Sequence, residues 1–283
     1  KENGNFDIAI AEEKSTQTAS NSSFSLNIEE YEFANINFNY IDRSTNTKLS
    51  LENITHTGKG NFAEDIFNLD TKTAGFLSFD LNKTNYINKL KITLDAVLGI
   101  DLKNSKYTFK ENTGYINQLP LEFDGFIQLT NENQFYDLRF KTPTSSFKNA
   151  LALLPQQYAG NLSTLKTEGN FKVNGLVKGT LSKKTIPAFE IQISSKNALF
   201  KYADLPKAVK NINIDSKIVN NTGFLKDTYI ALNTMLFKID EDAFSVNGSV
   251  KNIISNPQIN IMASGILDLA NIGKVYPAPL EKE

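Results

Sequence analysis

The chain has 283 residues, with 30 Lys+Arg against 31 Asp+Glu and a formal net charge of −1. It has no Cys and a single His, His56, which excludes a disulfide framework, a thiol nucleophile and a Cys/His zinc site. The balanced charge argues against holding nucleic acid through its phosphates, which needs a basic surface.

Hydrophobic residues make up 40% and aromatics 11%, with 20 Phe and no Trp, a globular rather than disordered composition. No stretch approaches the ~20 consecutive apolar residues of a membrane-spanning helix. The chain opens on Lys1-Glu2-Asn3-Gly4, with no signal-peptide pattern, and closes on Pro277-Ala278-Pro279 and a short charged tail. Both ends read as cuts through a longer protein.

Period-2 alternation dominates, which is the pattern of strands with one buried and one wet face. In chain order it runs through Phe24/Leu26/Ile28, then Ile36/Phe38/Tyr40 with Asn35, Asn37 and Asn39 between them, then Leu77/Phe79/Leu81 and Leu90/Ile92/Leu94. It continues in Leu119/Leu121/Phe123, Tyr136/Leu138/Phe140, Phe189/Ile191/Ile193, Ile212/Ile214 and Ile259/Ile261. The clusters Asp42–Thr47, Lys110–Gly114 and Asp240–Asp242 read as hairpin turns, because Asn, Asp and Gly tolerate left-handed backbone. Turn signals at such spacing predict roughly 15 to 20 mostly antiparallel strands.

Helix is scarce. After Pro143, Thr144, Ser145 or Ser146 can cap a helix over Phe147–Leu154, where Phe147, Leu151 and Leu154 form one apolar stripe. A second short turn over Tyr158–Leu165 and a single turn near Pro206–Val209 are also expected, so residues 144–166 form a helical insert. With no Gly- or Ser-rich linker, residues 1–283 read as one sheet system. The patterns F-x-Y-x-D (Phe38–Asp42, Phe200–Asp204) and G-x-V-K (Gly175–Lys178, Gly248–Lys251) suggest a repeated β-hairpin, with Gly125–Leu129 as a third copy.

Nothing here is an enzyme signature. His56 lacks a G-x-S-x-G nucleophile to serve and reads as a polar residue on the solvent face of a strand. The acidic pairs Glu29/Glu30 and Glu64/Asp65, and the triplet Asp240–Asp242, sit in turn-like contexts, without the Trp platforms common in sugar sites. Gly58-Lys59-Gly60 is too short for a phosphate loop. No cofactor or metal site is expected.

A long alternating sheet must cover its apolar side, and one or two short helices cannot do so. Either two sheets cover each other as a sandwich, or one sheet curls into a trough whose Phe, Ile and Leu lining suits acyl chains. The expected class is mainly β: a long antiparallel sheet of repeating hairpins curled into an elongated groove, with one or two short helices. The candidate lining residues are Ile36, Phe38, Tyr40, Leu51, Leu121, Phe123, Leu138, Phe140, Ile191, Ile193, Phe200 and Tyr202.

The run Ala34–Asp42, followed by Leu49–Ile54 and Gly58-Lys59-Gly60, resembles the rhythm of AsmA-like proteins. So do Leu119–Gly125 and Gly265–Ala270, and Phe147–Tyr158 resembles the short helix of Bacteroidetes-type members. The resemblance implies a periplasmic protein held at the inner membrane by an N-terminal helix that this chain lacks. It also implies a β-groove related to TamB, and a phospholipid or other acyl lipid as partner, in phospholipid transport to the outer membrane or its assembly. The competing class is a structural or interaction β-sandwich of the cell envelope without lipid cargo.

Overall fold

The computed structural model describes residues 28–43, 46–81, 84–130, 132–143, 145–151, 165–182, 184–201, 206–253 and 256–266. These residues form one antiparallel sheet of 13 strands whose spatial order is the chain order, and it does not close on itself. The strands are β1 (Glu30–Asp42), β2 (Thr47–Gly60), β3 (Ile66–Leu81), β4 (Thr84–Asp101), β5 (Lys106–Ile116), β6 (Leu119–Leu129) and β7 (Gln134–Lys141). After a short helix, α1 (Phe147–Leu151), come β8 (Lys166–Leu181), β9 (Ala188–Lys201), β10 (Val209–Asn220), β11 (Tyr229–Ile239), β12 (Asp242–Lys251) and β13 (Gln258–Gly265). Because the sheet is a meander, turns after even-numbered strands share one rim and turns after odd-numbered strands share the other.

Among the described residues the strands are fewer and longer than turn spacing predicts. Lys110–Gly114 is not a turn but part of β5, because Asn112 replaces the missing backbone pairing. Its Oδ1 accepts from the Phe123 N–H at 2.7 Å and its Nδ2 donates to the Phe123 carbonyl at 2.6 Å. At 18 residues, β4 spans about 60 Å, and thirteen strands side by side extend a similar distance.

Register sorts the side chains. Leu94, Gly114 and Leu121 pair in sequence, as do Val177 with Phe189 and Ile191 with Ile218, Ile230 and Val250, so one face is apolar from end to end. The other face carries cross-strand ion pairs: Glu122–Lys141 at 3.3 Å, Asp124–Arg139 at 3.2 Å and Asp137–Lys178 at 2.8 Å. Each exposed pair adds little stability, and their role is to keep this face wet.

Two features hold the apolar residues on one side through irregular stretches. Asn35-Ile36-Asn37 in β1 and Asn211-Ile212-Asn213 in β10 are the same bulge, with the first Asn at φ 57° and 52°. In each, the third Asn accepts the backbone N–H of another left-handed Asn, from Asn53 at 2.9 Å and from Asn197 at 3.1 Å. The extra residue restores alternation, so Phe33 and Ile36 share a face. The second feature is aromatic residues set directly opposite glycine: Tyr31 and Gly58, Phe109 and Gly125, Phe140 and Gly175, Phe244 and Gly265. A Cβ on Gly175 would lie 2.1 Å from the Phe140 ring, so that ring lies flat across the neighbouring strand. This pairing packs a single-layer sheet against itself.

The helix fills a gap in the sheet. With 8 residues, β7 pairs only with the second half of β8, which has 16, and leaves the first half without a strand partner. Thr142, Ser145 and Ser146 take that place as a strap: Phe171 N–H donates to the Ser145 carbonyl at 3.0 Å and Val173 N–H to Thr142 Oγ1 at 2.8 Å. Ser146 caps α1 by accepting the Asn149 N–H, and Asn149 Nδ2 reaches back to the Gln118 carbonyl at 3.0 Å. Of the expected helix, Phe147–Leu151 is seen, and 152–164 lie outside the described residues. No helical turn forms near Pro206; the chain bends there and Val209 starts β10. A 3-10 turn at Leu225–Asp227 is additional.

Candidate functional site

The apolar face is the site that the fold builds. Toward the even rim of β1–β5, Phe67, Leu69 and Ile100 form a buried cluster with Tyr31, Phe62, Leu98 and Tyr107. Toward the odd rim of β8–β11, Phe147 from α1 packs on Ala198 and Ile212, with Phe171, Phe200 and Phe237 around them. Leu119 and Leu121 of β6 are buried beside this strap. Between and beyond the clusters the face stays half-buried. On the opposite face, at the β11–β13 end, Asn213, Leu236, Lys238, Ser245, Ser264 and Ile266 border an open depression of about 550 Å³.

The candidate lining residues fall into two groups. Leu121, Phe123, Leu138, Phe140, Ile191 and Ile193 are brought together: Phe123 pairs with Phe140, ring centroids 6.4 Å apart, and Gly175 links Phe140 to Ile191. Phe200 joins the α1 cluster. Ile36, Phe38, Tyr40 and Leu51 lie on the same face, paired as Ile36–Ile54, Phe38–Leu51 and Tyr40–Leu49, but at the edge of the sheet. There Ile36, Phe38 and Tyr40 are 41%, 48% and 52% exposed, because among the described residues β1 has a strand neighbour on one side only. Tyr202 lies outside the described residues.

Sequence reasoning missed Phe109, whose ring is 6.0 Å from that of Phe123, because the reading of 110–114 as a turn cut its strand short. It also missed Phe171 and Val173, although Phe171/Val173/Gly175/Val177 alternates as cleanly as any run.

His56 is placed differently from expectation. It points to the apolar face, not to solvent, in register with Phe33 and Thr73. Its Nε2 meets Tyr31 Oη at 2.9 Å, its Nδ1 meets Thr73 Oγ1 at 2.8 Å, and its ring is parallel to Phe33. Both ring nitrogens are satisfied by neutral hydroxyls, so a residue read as wet is tolerated among aromatics. Burial pushes the imidazole below its ordinary value of 6.5. The sign follows: the unfolded chain takes the proton first, so this contribution is complete above about pH 6.5 and is lost as pH falls through the lower folded value. The melting temperature of the wild type should therefore fall more steeply below pH 6.5 than that of His56→Gln, read by parallel melts across the pH range.

The acidic groups serve the turns. Asp65 pairs with Lys103 at 3.0 Å and Asp240 with Lys207 at 2.6 Å. Among the described residues, no three His, Asp or Glu gather as metal ligands. No helix there is long and apolar enough to cross a membrane. No family model, curated protein or solved structure matches the chain.

Proposed function

We propose that this chain is a lipid-binding groove of the cell envelope, of the AsmA-like kind, which takes the acyl chains of a phospholipid on its apolar face. One observation supports it most: an apolar face continuous through thirteen paired strands, with α1 as its cover among the described residues. A sheet of this size leaves much apolar surface in contact with water, a cost that an acyl ligand removes. The ion-paired opposite face fixes which side is wet. The reading assigns no catalytic step. It places the protein in the periplasm, carrying or holding lipid on the way to the outer membrane.

Charge on the lining tests the proposal. Phe123 and Ile193 are half-buried on an open face, so the carboxylate of Phe123→Asp or Ile193→Asp can keep water. The melting temperature should fall modestly while binding of a fluorescent phospholipid drops at least tenfold. In a packed sandwich the same carboxylate would be buried without a partner and the protein would unfold. Global unfolding with both substitutions, and no lipid bound by the wild type, would contradict the groove reading.

A structural or interaction role has its own supporting observation. The outer edges of β1 and β13 have no strand partner among the described residues, and β13 exposes Ile259, Ile261 and Met262.

A further inference from the structure

The turns of the two rims differ in chemistry. On the even rim, exposed apolar side chains recur: Ile66 after the β2–β3 turn, which is 62% exposed, Leu102 in the β4–β5 turn, and Phe224 and Leu225 in the β10–β11 turn. The described odd-rim turns carry Arg43, Asn46, Asn117, Gln118, Asp240 and Glu241, with the exposed Ile41 and Tyr115 beside two of them. Adjacent strands are ~4.8 Å apart, so eight strands put Ile66 and Phe224 about 40 Å apart along the rim.

The β10–β11 turn is built to hold its apolar residues out. Asn220 is fully buried and spends its side chain on the loop: Nδ2 donates to the Phe224 carbonyl at 2.7 Å and to Thr228 Oγ1 at 2.9 Å, and Oδ1 accepts the Gly223 N–H at 2.8 Å. Gly223 adopts φ 78°, which favours glycine, and its carbonyl accepts the Ile186 N–H of the β8–β9 turn at 2.8 Å. Two turns are thus tied together, and their exposed cations are Lys184 and Lys226, neither in an ion pair with a described carboxylate. Leu-Lys occurs at two tips: Leu102-Lys103, where Asp65 already holds the ammonium, and Leu225-Lys226, where no described carboxylate does. An apolar side chain beside a long ammonium suits the boundary between acyl chains and anionic headgroups, where the ammonium stays at the phosphate level.

We propose that the even rim docks on a lipid surface bearing anionic headgroups, with Phe224 and Leu225 entering the headgroup layer and Lys184 and Lys226 meeting the phosphates. The chemistry of the tips favours a bilayer over a protein: exposed Phe224 and Leu225 stand beside ammoniums that no described carboxylate neutralises. The proposal does not depend on the groove holding lipid.

The chain has no Trp, so Phe224→Trp is a unique reporter at an exposed position. Its emission should shift to the blue with phosphatidylglycerol–phosphatidylcholine vesicles, and less with phosphatidylcholine alone. The double variant Phe224→Ser/Leu225→Ser should bind the mixed vesicles at least tenfold more weakly, since two apolar side chains are lost from the contact. Its melting curve and groove-bound phospholipid should be unchanged, which separates failure of the rim from failure of the groove. Unchanged emission with both vesicle types, or undiminished vesicle binding by the double variant, would overturn the proposal and leave these tips to a protein partner.

Discussion

Replacing Gly125 with alanine should destabilise the protein by more than about 3 kcal/mol, the largest effect expected of any single-methyl change. Gly125 sits in β6 at φ 110°, opposite Leu138 of β7 and Phe109 of β5. A Cβ there would lie 1.9 Å from the Asp137 carbonyl oxygen and 2.9 Å from its carbon, both backbone atoms of a paired strand. The strand cannot retreat without breaking the β6–β7 ladder, so strain and lost pairing add. For a chain of this size the melting temperature should drop by roughly 10 °C. Gly99→Ala is the control. Its new methyl meets Lys110 Cε at 2.8 Å, the far end of a flexible side chain, so stability should stay within about 0.5 kcal/mol of wild type. Equal melting temperatures for the two variants would show that the β6–β7 register is not as described.

Phe147→Ala should cost about 3 kcal/mol or more, and the loss should be local before it is global. Phe147 is 5% exposed and anchors α1 on Ala198 and Ile212. Without it, this strap holds the sheet through the Thr142, Ser145 and Asn149 hydrogen bonds. Hydrogen exchange is the sensitive reading. The Phe171 and Val173 amides, which donate to this strap and not to a strand, should lose protection in Phe147→Ala. The Leu138 and Val177 amides, inside the β7–β8 ladder, should keep theirs. Uniform loss across β8 would mean that the strap is not a separate unit.

The alternation of apolar and polar residues was enough to read the class of this fold, because a strand with one wet face writes period 2 directly into the chain. Phe189/Ile191/Ile193 and Leu119/Leu121/Phe123 lie where that pattern puts them. The bulges were not legible. Val209-Lys210-Asn211-Ile212 breaks the alternation in sequence but keeps it in space, because a left-handed Asn absorbs the extra residue. Asn112 misled for a related reason: an amide that would favour a turn here copies the backbone pairing of a strand. His56 looked wet because imidazole is polar. Its partners Tyr31 and Thr73 are 25 and 17 residues away, on strands whose register the sequence does not print. Edge exposure was equally hidden, since Phe38 and Phe123 look alike in sequence and differ in having one or two neighbouring strands among the described residues.

The central claim is that the apolar face holds lipid, and native mass spectrometry of the purified protein tests it most directly. The groove reading expects the folded chain to carry bound mass that releases as intact phospholipid on activation, and expects that mass to be lost in Phe123→Asp and Ile193→Asp while the charge-state distribution stays compact. A wild-type spectrum of bare protein, unchanged after incubation with phospholipid, would contradict it.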